Sequence, residues 1–117
     1  MNDDLFLQQI SDGSLAPSHF NHAGHIRLAR ILVQRYPLDD AVARCCTLIA
    51  AYARGLGAHD KFHWTVTEAL VRLLHAHGPA ALEDARGLLA RHYSAARLAD
   101  AAGRTRFLAP DLLPLPA

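Results

Sequence analysis

The sequence predicts an all-α fold: a compact bundle of four main helices with short flanking helices and a proline-rich C-terminal tail. Three observations predict it. Apolar residues recur at helical spacing over several long stretches. No stretch alternates apolar and polar residues as a half-buried strand does. The periodic stretches end at strong stops: Pro37, Gly55-Leu56-Gly57 and Gly78-Pro79. With 117 residues the chain reads as one domain, residues 1–117, long enough to bury a core without a staple.

In order, Asp3 to Ile10 is a short apolar segment that ends at Ser11-Asp12-Gly13, a turn signal. Leu15 to Ser18 contains Pro17 and reads as an extended approach. The first long helix runs from about Asn21 to Tyr36, with Asn21 as N-cap and Phe20 stapling Ile26 or His25. Its stripe is His22, His25, Ile26, Ala29, Leu32, Val33 and Tyr36, so its histidines extend the expected core face. Pro37-Leu38-Asp39-Asp40 starts the second helix, its acids at the positive end of the dipole. Val42, Cys45, Cys46, Ile49 and Tyr52 form its stripe. Periodicity resumes from His63 to His77, through Val66, Leu70, Leu73 and Leu74. Ala80 to Tyr93 reads as the fourth main helix and Ser94 to Ala102 as a short one. The prolines after Phe107 forbid a helical tail.

Composition narrows the function classes. Hydrophobic residues make up 51% and charged residues 20%, as in a folded soluble protein and not a disordered one. A net charge of +1 argues against nucleic acid as a partner. No apolar run is long enough for a membrane span, and the acidic start lacks the basic flank of a signal peptide, so a cytoplasmic location is expected. Adjacent Cys45 and Cys46 diverge by ~100° on a helix and read as reduced packing thiols. Eight histidines stand against two glutamates, so a polar site here is imidazole-based.

The candidate site follows from that count. His22 and His25 stand three apart at a helix start, and such residues are surface neighbours. This spacing permits two ligands to one metal. His63 begins another helix after an aromatic and is the candidate third ligand, ahead of His59 and Glu68. The positive end of a helix disfavours imidazolium, so these histidines are expected to be neutral, the form that binds metal or accepts a proton. Arg27, as a charged donor, and Thr67 complete the candidate catalytic set. No phosphate-binding glycine loop, nucleophile elbow, Cys-x-x-Cys or Glu-x-x-His is present.

Phe20-Asn21-His22-Ala23-Gly24-His25-Ile26-Arg27-Leu28-Ala29, Tyr36-Pro37-Leu38-Asp39-Asp40, Phe62-His63-Trp64-Thr65-Val66-Thr67 and the ending Arg106 to Pro116 together resemble a family of small bacterial helical proteins. Its pattern is an aromatic–x–His–x–x–His–aliphatic–Arg–x–Ala opening and a later aromatic–His–x–Thr–x–Thr element. The resemblance spans Leu15 to Pro116 and implies that His22, His25, Arg27, His63, Thr65 and Thr67 occupy the characteristic positions. Most members have no assigned function, so it implies no reaction. This chain departs from the pattern at Asn21, where many members have His, and at Trp64, where many have Glu.

The expected function is a small metal-dependent enzyme acting on a small molecule or peptide, with His22, His25 and His63 holding zinc, iron or copper and one position open. The alternatives are a metal-free binding or modifying protein with a histidine as general base, and a structural interaction module. The leucines of the tail, Leu108, Leu112, Leu113 and Leu115, predict a homodimer.

Overall fold

The structure, a computed structural model, describes residues 1–116. The described residues contain helices and no strand, as the sequence predicts. None of these helices is long and apolar enough to cross a membrane. Two compact units form, Met1–Phe62 and the chain from His63 onward.

In the first unit, α1 spans Asp3–Asp12, a full ten-residue helix where the sequence suggested a short segment. Asn2 caps it, its side chain accepting from the Leu5 amide, and Gly13 ends it in the left-handed region at φ 80°. A 3-10 turn over Pro17–His19 leads to α2, His22–Arg35. Here the structure corrects the expected stripe. The buried face of α2 is Gly24, Leu28, Ala29, Ile31 and Leu32, whereas His22 and His25 lie on exposed surface. Gly24 is the reason: a Cβ there would fall within contact distance of the His19 carbonyl oxygen. A residue without a side chain thus lets the helix approach the preceding turn closely, with Gly24 on the buried face. The next helix, α3 (Leu38–Gly55), buries Ala41, Val42, Cys45, Cys46, Ile49 and Tyr52, the expected stripe. Burial pushes the Cys45 thiol up to about 12, so this sulfur is a packing group with negligible thiolate at neutral pH. The Tyr52 hydroxyl donates to the Leu15 carbonyl at 2.6 Å, tying the loop after α1 to α3.

In the second unit, α4 spans Trp64–His77 and buries Thr65, Glu68, Ala69, Val71, Leu73 and Leu74. The helix expected over Ala80–Tyr93 is interrupted. Pro79–Asp84 is a 3-10 helix, and only Ala85–Ala90, α5, is α-helical. Asp84 causes the break: its carboxylate accepts from the Gly87 amide and starts a new helix mid-segment, a side-chain bond competing with the backbone ladder. The short helix α6 (Ala95–Ala99) is capped by Ser94, and a 3-10 turn follows over Ala101–Arg104.

From Thr105 to Pro116 the chain runs without helix or strand and lies on its own unit. Leu108 is buried, its carbonyl accepting from the Tyr93 hydroxyl at 2.8 Å. Leu115 packs on the cluster of Ala69, Leu89 and Tyr93. Leu112 and Leu113 remain 55% exposed each. Asp111 anchors this segment by accepting from the Ser94 amide and hydroxyl, and those bonds hold its carboxyl below the usual range. A depressed carboxyl stabilises docking above its ordinary titration range and loses that contribution as pH falls through the lowered value. Asp111→Ala should therefore speed amide exchange at Leu112 at neutral pH, and the difference from wild type should vanish in strong acid.

Candidate functional site

The start of α2 is built on Asn21. Its side-chain oxygen accepts from the Gly24 amide at 3.0 Å, so the expected N-cap is present. Phe20 stacks on His25 with ring centroids 3.9 Å apart and planes 21° from parallel, and meets Tyr52 edge-on at 5.0 Å. The staple of the sequence reading therefore joins Phe20 to His25. His25 Nδ1 lies 2.9 Å from the Asn21 carbonyl oxygen. A carbonyl only accepts, so Nδ1 carries the hydrogen and Nε2 keeps its lone pair. Desolvation under the Phe20 ring lowers the pKa of His25, the Asn21 bond opposes this in part, and His22 lowers it further. His25 is thus a neutral base with a fixed tautomer, and His22 is close enough to be felt electrostatically.

The start of α4 uses its histidine differently. His63 is the N-cap itself: Nδ1 accepts from the Val66 amide at 3.2 Å. Nε2 lies 3.0 Å from the Leu98 carbonyl oxygen and so donates to it. One nitrogen accepts and the other donates, so neither offers a lone pair to a metal in this arrangement. The imidazole closes a helix end and fastens α6 to α4.

The remaining candidates are also engaged. Arg27 is half-buried, donates to Asp3 through Nε at 3.3 Å and Nη2 at 3.0 Å, and reaches the Met1 carbonyl at 2.7 Å. Its guanidinium covers the Phe6 ring at 4.6 Å, so it ties α1 to α2. Arg27 also lines a cavity of about 270 Å³ with Ser18, His19, Asn21 and Gly24. Thr67 Oγ1 donates back to the His63 carbonyl at 2.9 Å, an ordinary mid-helix threonine bond. Glu68 is buried and accepts from Trp64 Nε1 at 3.0 Å and Arg72 Nε at 2.9 Å. His59 lies exposed in the 3-10 turn His59–Lys61.

Thr65 is the residue whose importance the sequence understates. Its Oγ1 is 2.9 Å from the carbonyl oxygens of both Gly103 and Arg106, and it accepts from the Leu108 amide at 3.1 Å. Gly103 is packed so closely that a Cβ there would stand 3.0 Å from Thr65 Oγ1, 3.0 Å from Leu108 and 3.3 Å from His63 Cε1. The pattern His63-x-Thr65-x-Thr67 is therefore a clasp for the C-terminal segment. The resemblance marks Thr65 as a characteristic position, but its residue type alone, a β-branched hydroxyl at the first turn of an apolar helix, is too common to reveal this role.

The structure thus pairs His22 with His25 on α2 and engages His63, Arg27, Thr67 and Glu68 in bonds within their own units. Among the described residues, no group of three or more His, Cys, Asp or Glu side chains is placed to hold one metal ion. No protein-family model, curated protein or solved structure matches the chain.

Proposed function

We propose that the reactive group of this protein is His25, and that with His22 it binds a transition metal that handles a small-molecule or peptide substrate. The observation that carries the reading is the bond from His25 Nδ1 to the Asn21 carbonyl. Ligating histidines generally donate their other ring N–H to such an acceptor, which fixes the ring and raises the basicity of the coordinating nitrogen. The lowered pKa of His25 supports the same reading, because a ligand must be unprotonated to bind. Two imidazoles leave positions for water and substrate, and zinc, iron and copper all accept such donors. His63 drops out of the ligand set on its hydrogen bonds.

Titration of tag-free protein with zinc, nickel and copper tests this. Binding should be lost in His25→Ala and kept in His63→Asn, where asparagine preserves a helix cap. Because the His25 pKa is lowered, binding should persist to a lower pH than an unperturbed imidazole allows. No binding by the wild-type chain, or equal loss in both variants, overturns the reading.

A metal-free reading has one observation of its own. The positive end of α2 opposes a bound cation and favours an anion, beside a neutral histidine able to act as general base. It requires that chelators leave every activity unchanged while His25→Ala removes it.

A further inference from the structure

We propose that a groove on the first unit is a binding site for a small carboxylate with an apolar body. The groove is a cavity of about 400 Å³ between α1, the end of α2 and α3. It is distinct from the His22–His25 pair. Tyr36, which lines it, lies about three turns of α2 beyond His25, roughly 16 Å along the helix axis. The inference is therefore independent of the metal reading. The walls set the body of the ligand. Leu7 of α1, the buried Leu32 of α2 and Leu48 of α3 line the groove, and Ala43 leaves space where a larger side chain would fill it. The volume is at the small end of ligand pockets and suits a single ring or a short alkyl chain.

The charge sets the head. Among the described residues lining the groove, Arg44 is the only charged one, so the charge it complements is negative. Its guanidinium lies over the Tyr36 ring, 3.9 Å from the centroid, and its Nε donates to Asp40 at 3.1 Å. These two contacts hold the guanidinium in place and engage only one of its nitrogens. Among the described residues, Nη1 and Nη2 of Arg44 have no hydrogen-bond acceptor. Two parallel N–H groups in one plane are the fork that a carboxylate accepts from bidentately. The ion pair with Asp40 joins two half-exposed side chains one turn apart, so it offsets little of this attraction.

The hydroxyls are a second, separate observation. Among the described residues, the hydroxyls that form no hydrogen bond are those of Ser11, Ser18, Tyr36 and Thr47, and all of these except Ser18 line this one groove. Elsewhere in the chain such groups cap helices or tie segments together, as those of Thr65 and Ser94 do. Thr47 stands three residues beyond Arg44 on the same face of α3, so a carboxylate seated on the fork has a hydroxyl donor beside it. Apolar walls with a few convergent, unengaged polar groups are the composition of a small-molecule site.

Titration of the isotope-labelled full chain with 3-phenylpropionate, followed by amide NMR shifts, tests this. The shifts should gather at Leu7, Ser11, Tyr36, Ala43, Arg44 and Thr47 and spare α4. The uncharged counterpart 3-phenylpropan-1-ol should bind about tenfold more weakly. Acetate, which has the charge without the body, should give no saturable shift. Arg44→Gln, at an exposed position, should keep the spectrum of a folded chain and lose about tenfold in affinity. Ala43→Phe, which fills the groove from an exposed position, should abolish binding. No saturable shift of the wild-type chain at millimolar ligand overturns the proposal. So do shifts centred on His22 and His25, equal binding of the acid and the alcohol, or unchanged affinity in either folded variant.

Discussion

Gly24→Ala should destabilise the first unit by about 2 kcal/mol, although alanine is the better helix former. Replacing an interior helical glycine normally gains up to about 1 kcal/mol. At this position the added methyl meets the His19 carbonyl oxygen, with the carbonyl carbon 3.2 Å away. The obstacle is backbone, which cannot swing aside as a side-chain tip does. Overpacking against such an obstacle costs about 1–3 kcal/mol beyond the propensity gain. The residues that would move are His19, Phe20 and Asn21, of which Phe20 and Asn21 hold the His25 ring. Gly24→Ala should therefore disturb both the thermal transition and any ligand binding at His25. Gly55→Ala is the internal comparison. Gly55 closes α3 with nothing within 4 Å of an added Cβ, so this change should raise stability by up to about 1 kcal/mol. Urea denaturation of both variants decides the matter. Equal stabilisation by the two would show that the tight approach at Gly24 does not exist.

The same glycine explains where the sequence could and could not be read. The stripe of α3 was legible because its buried face consists of side chains whose apolar character can be counted, from Val42 to Tyr52. The stripe of α2 was read only in part: Ala29 and Leu32 are buried as expected, but the face is turned from His22 and His25 toward Gly24, a tight contact which no count of apolar residues registers. The helix expected up to Tyr93 failed at Asp84, whose carboxylate can serve either as an exposed helical residue or as a cap, and only the turn after Gly78 selects the cap. At the site, the cap of α2 had a local signature, and Asn21 was found by it, whereas the cap of α4 is a histidine and carried none. The roles of the imidazoles had none. His25 and His63 both follow the first aromatic of their motif, yet one keeps a lone pair and the other does not. The difference lies in Leu98, thirty-five residues beyond His63. A sequence shows which groups can bond, and distant backbone decides which of them are already bonded.

Thr65→Val should be the most damaging single-atom change in the second unit. Valine keeps the shape and the β-branch, so packing and helix propensity hardly alter. What disappears is one oxygen, and with it the acceptor of the buried Leu108 amide and the single hydroxyl hydrogen that the Gly103 and Arg106 carbonyls compete for. An unsatisfied buried polar group costs about 1–3 kcal/mol, and here a buried amide and at least one carbonyl lose their partner together. A loss of roughly 3 kcal/mol follows, enough to lower the melting transition of this unit by about 10 °C or more. Thr65→Ser separates the two contributions, because it retains the hydroxyl and removes only a methyl group; it should recover most of the loss. Hydrogen exchange supplies the site-specific readout. The Leu108 amide, protected in the wild type by its bond to Oγ1, should exchange far faster in the valine variant, while the amides of α3 in the first unit keep their rates. If Thr65→Ser were as damaging as Thr65→Val, the methyl group and not the three-bonded oxygen would be what holds the C-terminal segment, and the clasp described for this motif would be wrong.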